Sequence, residues 1–386
     1  GGRVATGPFQ EPLEAELALE AQGVDLGQTV RLDGPVAGIV NGSLTGTLRG
    51  TEPMAILERS QLRFDGRAEG LSIPQADLGT IAAELQLEKG RVVADPLRAD
   101  LPQGRVAGRA AAGPFGQGFT ADLDLTAENV DLGAIARSEA FAGVLNADVE
   151  GTLNGSTPAE LLTRSRLELR GEVDQLRLPQ IEEGVPRATL VATLDPERDT
   201  AFRLVAEGQA GDLPLRLAAW GASAERLAAN EGDYPVTLEL DAGQNRARVN
   251  GTVTLPLALG STMRAEILAE GPDPAPVLAL FKLPKLELPP YRIAGTVINE
   301  RTTLRIVGLD GRVGDSDIGG DLTVTLEGDR PAIAGELRSS LIDIDDFGGL
   351  IGAQPGTGEG ETASAGQEAA AVEEAHVGVA EELEDP

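Results

Sequence analysis

The stretch Gly151–Gln180 (GTLNGSTPAELLTRSRLELRGEVDQLRLPQ) decides how the chain is read, because Gly46–Gln75 (GTLRGTEPMAILERSQLRFDGRAEGLSIPQ) repeats it without a gap. Thirteen of the thirty positions are identical, where chance gives about two. Gly50/Gly155, Pro53/Pro158, Arg59-Ser60/Arg164-Ser165, Gly66/Gly171 and Pro74-Gln75/Pro179-Gln180 are among them. In each copy a hydroxyl residue and a proline open a short apolar stripe, Thr51–Leu57 and Ser156–Leu162, which predicts a brief helix. The alternating runs that follow, Leu62-Arg-Phe64-Asp and Leu167-Glu-Leu169-Arg, predict strands. The likeness extends upstream, where Leu17–Gly27 (LALEAQGVDLG) matches Leu123–Gly133 (LDLTAENVDLG), and Leu337–Phe347 (LRSSLIDIDDF) is a weaker third copy. A period near 105 residues is too long for a β-helix rung or a propeller blade, and suits a module of several strands that extends one sheet.

The same alternation continues in Val236-Thr-Leu238-Glu-Leu240, Leu304-Arg-Ile306 and Leu322-Thr-Val324-Thr-Leu326. Each such strand has one apolar and one charged face. Asn41-Gly42, Asn154-Gly155, Asn250-Gly251 and Asp310-Gly311 read as two-residue hairpin turns, giving an antiparallel meander of roughly sixteen strands, about 75 Å long. Further short helical turns are expected at Asp131–Ala136 and Pro276–Phe281. Helices this few and short cannot cover a long sheet. Its apolar face must therefore pack on a second sheet, coil, close into a barrel or curl into a trough.

Repeats are expected at about residues 13–118, 119–250 and 251–351, followed by a tail, 352–386. The tail is Gly, Ala, Ser, Thr and Glu with nine acidic residues and neither Lys nor Arg, a composition that reads as a disordered linker. The opening Gly2–Phe9 (GRVATGPF) echoes Gly104–Phe115 (GRVAGRAAAGPF), in the middle of a repeat. The chain is accordingly expected to be a piece of a longer one, with any targeting segment upstream.

Composition removes most enzyme chemistries. The chain has 386 residues, 62 acidic against 32 basic, a net charge of −30, no Cys and one His, His376 in the tail. Nucleic acid is excluded by the acidic balance. Disulfides, thiolate sites, multi-histidine zinc sites and a Ser-His-Asp triad lack their residues. No run of apolar residues is long enough to span a membrane as a helix. Asp310, Asp315, Asp317 and Asp321 invite a calcium reading, but they lack EF-hand spacing and suit turns. Carbohydrate chemistry would need paired carboxylates and aromatic platforms; Trp220, Tyr234 and Tyr291 read as packing residues. Three Asn-Gly-Ser/Thr triplets match glycosylation sequons and coincide with the expected turns. No cofactor is implied. The remaining signal is a strongly aliphatic inventory, which fits either a sandwich core or a channel for hydrocarbon chains.

From Tyr234 onward the residues resemble the AsmA family. The resemblance rests on Tyr234-Pro235 to Leu240, Gly251–Pro256, Asp273-Pro274 to Leu283-Pro284 and Pro290-Tyr291 to Gly295. It continues through Gly314-Asp-Ser-Asp317, Gly320-Asp-Leu322, Arg330-Pro331 and Ser340-Leu-Ile-Asp343-Ile-Asp-Asp346. It implies a mostly β fold, a long antiparallel meander curled into a repeating β-groove with a few short capping helices. It further implies a periplasmic, non-catalytic protein that shields phospholipid between inner and outer membrane, anchored in the inner membrane by a segment missing from this chain, with other envelope proteins as candidate partners. The expected groove lining is Leu62, Phe64, Leu167, Leu169, Leu238, Leu240, Leu304, Ile306, Leu322, Val324 and Leu326. The alternative is a structural β-sandwich or adhesin-like scaffold without lipid.

Overall fold

The computed structural model describes residues 2–6, 14–29, 36–73, 76–114, 118–136, 142–178, 181–255, 263–280, 288–300, 303–325 and 332–343. The expected tail, 352–386, lies outside them. The chain begins β1 (Gly2–Thr6), β2 (Glu14–Asp25), α1 (Leu26–Thr29), β3 (Ala37–Arg49), α2 (Pro53–Arg59), β4 (Gln61–Ile73), β5 (Ala76–Glu88), β6 (Arg91–Leu101) and β7 (Gly104–Ala112). It continues through β8 (Thr120–Asp131), α3 (Leu132–Ala136), β9 (Ala142–Asn154), α4 (Pro158–Arg164), β10 (Arg166–Leu178), β11 (Ile181–Leu194), β12 (Phe202–Ala210) and β13 (Leu213–Gly221). The rest is α5 (Ala224–Ala229), β14 (Gly232–Ala242), β15 (Asn245–Leu255), β16 (Met263–Gly271), α6 (Ala275–Leu280), β17 (Tyr291–Glu300), β18 (Thr303–Val313), β19 (Ser316–Thr325) and β20 (Ala332–Arg338).

All twenty strands form one sheet. Each pairs antiparallel with its neighbours in sequence, from β1–β2 through β10–β11 to β19–β20. Among the described residues β1 and β20 each have one partner, so the sheet has two edges and is not closed into a barrel. It is a long antiparallel meander with a few short helices, a β-groove fold. The strand number exceeds the sixteen expected; twenty strands correspond to a sheet about 90 Å wide.

None of the four expected Asn-Gly and Asp-Gly hairpin turns is one. Asn41-Gly42, Asn250-Gly251 and Asp310-Gly311 lie inside β3, β15 and β18, and Asn154-Gly155 leads from β9 into α4. Two-residue turns among the described residues fall instead at Lys89-Gly90, with φ of 50° and 74°, at Pro102-Gln103, and at Gly211-Asp212, Gly243-Gln244 and Gly314-Asp315, whose glycines have φ between 56° and 61°. Asn41 and, outside these pairs, Asn146 hold bulges. Asn41 Oδ1 accepts the N–H of Gly23 at 2.8 Å, and Asn146 Oδ1 accepts that of Asn129 at 2.9 Å, across equivalent strand pairs. Asp321, weighed above as a calcium ligand, accepts the N–H of Gly308 in the same way at 2.7 Å.

Strand glycines serve curvature. Gly46 and Gly151, matched in the repeat, have φ of 132° and 150°. A Cβ there would lie 2.1 Å from the carbonyl oxygen of Gln61 or Arg166 on the next strand. Only glycine lets the backbones approach so closely.

The repeat is also a repeat of contacts. Ser60 and Ser165 are fully buried behind α2 and α4. Their Oγ atoms accept the N–H of Arg49 at 2.9 Å and of Asn154 at 3.0 Å. Register refines the echo at the start of the chain: Gly2 pairs with Leu19 as Gly108 pairs with Leu125, so β1 matches the second half of β7.

Both expected helices start later than predicted, at Pro53 and Pro158. Thr157 caps α4 by accepting the N–H of Glu160 at 3.2 Å, whereas Glu52 stands at the cap of α2 and makes no side-chain cap bond. The expected helical turns at Asp131–Ala136 and Pro276–Phe281 are α3 and α6.

Candidate functional site

Residues paired across an antiparallel ladder share a face, so the register traces one surface across the sheet. It starts with Leu17 and Leu19 on β2, passes to Leu44 on β3 and to Leu62 and Phe64 on β4, then to Leu87 and Leu85. Leu85 pairs with Ala94, Ala94 with Ala110, and Ala110 with Leu123. The path continues through Gly151 to Leu167, and through Val149 to Leu169. From Leu169 it runs by Ala192, Leu204 and Ala219 to Leu238, while Leu217 meets Leu240. Val249, Ile267 and Ala265 carry it to Val297, which pairs with Ile306, and Ile306 pairs with Leu322. Leu304 pairs with Val324.

Ten of the eleven expected lining residues thus belong to one face; Leu326 lies outside the described residues. Their sequence signal was period-two alternation. The same signal is present in Leu85-Gln86-Leu87 and Leu123-Asp124-Leu125, which the sequence reading passed over. On the described strands this face carries no Asp, Glu, Lys or Arg.

The face is only partly covered. Leu62, Phe64, Leu167, Leu169, Leu240, Leu304, Ile306 and Leu322 are half-buried, and Leu238 is 37% exposed. Among the described residues no large apolar side chain is below 2% exposed; the largest side chains that are belong to Ser60, Ser165 and Ser316. One local core exists, where Val130, Leu145, Ala147 and Val173 pack together with Leu169 and Leu190 against them. The face is crowded where its small residues sit. A Cβ at Gly66 would lie 2.4 Å from the Phe64 ring, and one at Gly171 would lie 2.5 Å from the Ala147 Cβ. Across the β9–β10 pair the Gly171 and Ala147 side-chain directions converge, so the sheet is concave towards its apolar side at that point; at Gly66 the Phe64 ring of the same strand folds over the glycine.

Curl also shows in the connections. α4 follows β9 and α5 follows β13, yet the two helices pack on each other. Four strand spacings on a flat sheet would separate them by about 19 Å. On the opposite face arginines and carboxylates pair between neighbouring strands, as in Arg63–Glu84 at 2.8 Å, Arg216–Glu207 at 3.0 Å and Arg187–Asp174 at 3.0 Å. The Asp174 carboxylate raises the pKa of Arg187 further. Exposed pairs of this kind add little stability; they keep that face wet.

Tyr234 and Tyr291 are buried, and Tyr234 donates its hydroxyl to the Ala222 carbonyl at 3.0 Å. Trp220 lies on the charged face, paired with Arg203 and Thr237. Among the described residues no three His, Asp or Glu side chains are placed to hold a metal ion, and no helix is long and apolar enough to cross a membrane.

One open, repeat-built antiparallel sheet with an uncharged aliphatic face defines a β-groove. The chain is similar to the AsmA family protein YhjG of Escherichia coli (strain K12), 27% identical over 200 residues, which are 50% of this chain and 29% of that protein. The chain therefore spans less than a third of that relative. No family model matches it. No solved structure matches it.

Proposed function

We propose that this chain is a non-catalytic segment of a periplasmic lipid-transfer protein, whose groove shields phospholipid acyl chains between the inner and outer membranes. The observation that carries the reading is the continuous uncharged face, without a covering layer among the described residues. An apolar surface of that extent calls for an apolar occupant. The likeness to an AsmA family protein supports the envelope setting and an inner-membrane anchor outside this chain. Movement along the groove is passive here, because no nucleotide-binding loop is present in the sequence. Direction and energy come from elsewhere in the intact protein or from its partners.

Register supplies a matched test. Leu169→Glu, Leu240→Glu and Leu322→Glu together place three carboxylates on the apolar face. Thr193→Glu, Thr237→Glu and Thr323→Glu place three on the other face. Mass spectrometry of purified protein should find phospholipid on the wild type and on the threonine variant, and little on the leucine variant. A wild-type chain that carries no lipid, even after incubation with vesicles, would return the protein to the scaffold reading.

A further inference from the structure

An amphiphile lying on a face with no charged residue must place its head group at the margin, where the strands are connected. Among the described residues those connections, at both margins of the sheet, are acidic on balance. Glu52 and Glu58 lie between β3 and β4, Asp199 between β11 and β12, Asp212 between β12 and β13, Glu231 between β13 and β14, and Asp273 between β16 and β17. Among the described residues the cations of the connections are fewer; Arg59 and Arg226 form no ion pair, and the other three are engaged. Arg164 pairs with Glu160 at 3.3 Å, Arg198 with Asp195 at 2.9 Å, and Lys89 with Glu88 at 3.8 Å. The strand arginines behind them pair with carboxylates too, as in Arg246–Asp241 at 2.9 Å. Residues 1–346, the unit that holds the sheet, carry a net charge of −21 once the nine acids of the tail are set apart from the −30 of the chain.

Two head-group classes meet this margin differently. One with net negative charge must approach a field of its own sign, and must displace a carboxylate to reach Arg164, Arg198 or a paired strand arginine such as Arg246. A zwitterionic head group can turn its ammonium towards the margin carboxylates and leave its phosphate in water. Resting on the groove reading above, we propose that the cargo is a two-chain amphiphile with a zwitterionic or uncharged head group, and that lipids of net negative charge are selected against. Aliphatic lining accepts both classes alike, so the discrimination lies at the margin.

The test is competition at matched acyl chains. The full chain is incubated with vesicles of equal phosphatidylethanolamine and phosphatidylglycerol, both dioleoyl, re-isolated, and its bound lipid quantified. At about 0.01 M salt the zwitterionic lipid should exceed the anionic one by about fivefold. At about 1 M salt, where the Debye length falls from about 30 Å to about 3 Å, the ratio should approach one. Asp199→Lys, Asp212→Lys and Glu231→Lys alter exposed margin positions that form no ion pair among the described residues. Together they should reduce the low-salt ratio to about twofold. Equal retention, or preference for the anionic lipid at low salt, would overturn the head-group proposal while leaving the groove intact. So would a ratio that neither salt nor the lysine variant changes. Retention of neither lipid would overturn the groove reading, and this proposal with it.

Discussion

Ser165 shows how small polar residues hold this sheet together. Its backbone N–H closes α4 on the Leu161 carbonyl at 3.1 Å, and its Oγ accepts the N–H of Asn154. One fully buried side chain thus ties the helix exit to the preceding strand. Ser165→Ala strands a buried N–H and should cost about 1–3 kcal/mol in urea unfolding, whereas Ser43→Ala, at an exposed position, should cost under about 0.5 kcal/mol. Asp317 works at the other end of the chain. Its carboxylate accepts the N–H of Leu341 at 2.7 Å, the N–H of Ser340 at 2.8 Å and the hydroxyl of Ser339 at 3.0 Å. The Leu341 N–H is the largest cause of a pKa lowered to about 2, with the Ser339 and Ser340 donors adding to it. A depressed pKa means that the ionised form stabilises the fold above the ordinary Asp value near 3.9. That contribution is lost as pH falls through about 2. Amide exchange at Ser340 and Leu341 should therefore stay slow, after correction for intrinsic rates, down to about pH 4, and accelerate below it. Asp317→Asn should make both amides exchange fast at neutral pH. Equal protection in the variant would show that something else holds the segment.

At the scale of elements, α2 and α4 are copies with different ends. α4 has a reciprocal cap: Thr157 accepts the Glu160 N–H, and Glu160 Oε2 accepts the Ser156 N–H at 2.8 Å. The Ser156 N–H first, and then Arg164, hold the Glu160 carboxyl below its usual pKa. α2 has Glu52 at the cap and Ala55 where α4 has Glu160, so neither bond forms. Thr157→Ala should lower stability by about 1 kcal/mol, while Glu52→Ala should leave it nearly unchanged, both read from thermal unfolding. A residue-type rule found both helices but could not tell which cap closes, because Thr51 and Ser156 are displaced from the cap positions. Strand faces were legible for a stronger reason: period-two alternation survives any curvature. The glycine-containing pairs were misread because Asn-Gly fits a hairpin turn as well as it fits a bend in a strand. What decides between them is whether the neighbouring backbone passes within contact, as at Gly42, where a Cβ would lie 2.5 Å from the Asp65 carbonyl oxygen. No local sequence window contains that neighbour. α5 was missed although Ser223 and the run Ala224–Ala229 carry a recognisable helix start. α1 is only four residues long and offered almost no pattern.

The whole sheet behaves as a quasi-one-dimensional object, because each strand packs mainly on the strands next to it in sequence. Stability in such a chain is close to a sum of local terms and nearest-neighbour interfaces, so it can differ along its length. The buried cluster of Val130, Leu145, Ala147 and Val173 ties β8, β9 and β10 together, and Leu190 extends it to β11. At the far edge every described side chain of β20 is exposed, including Leu337. Amide exchange should accordingly be slowest in β8–β11 and faster in β19 and β20, even though all are strands of one sheet. Val173, 4% exposed, is the side chain to remove. Val173→Ala opens a small cavity and should cost about 1–3 kcal/mol. The loss should appear as faster exchange across β8–β11, with β17–β20 unchanged. Acceleration spread evenly over all twenty strands would mean that the sheet unfolds as one cooperative unit. In that case the sheet could not open at one end while the other stays folded.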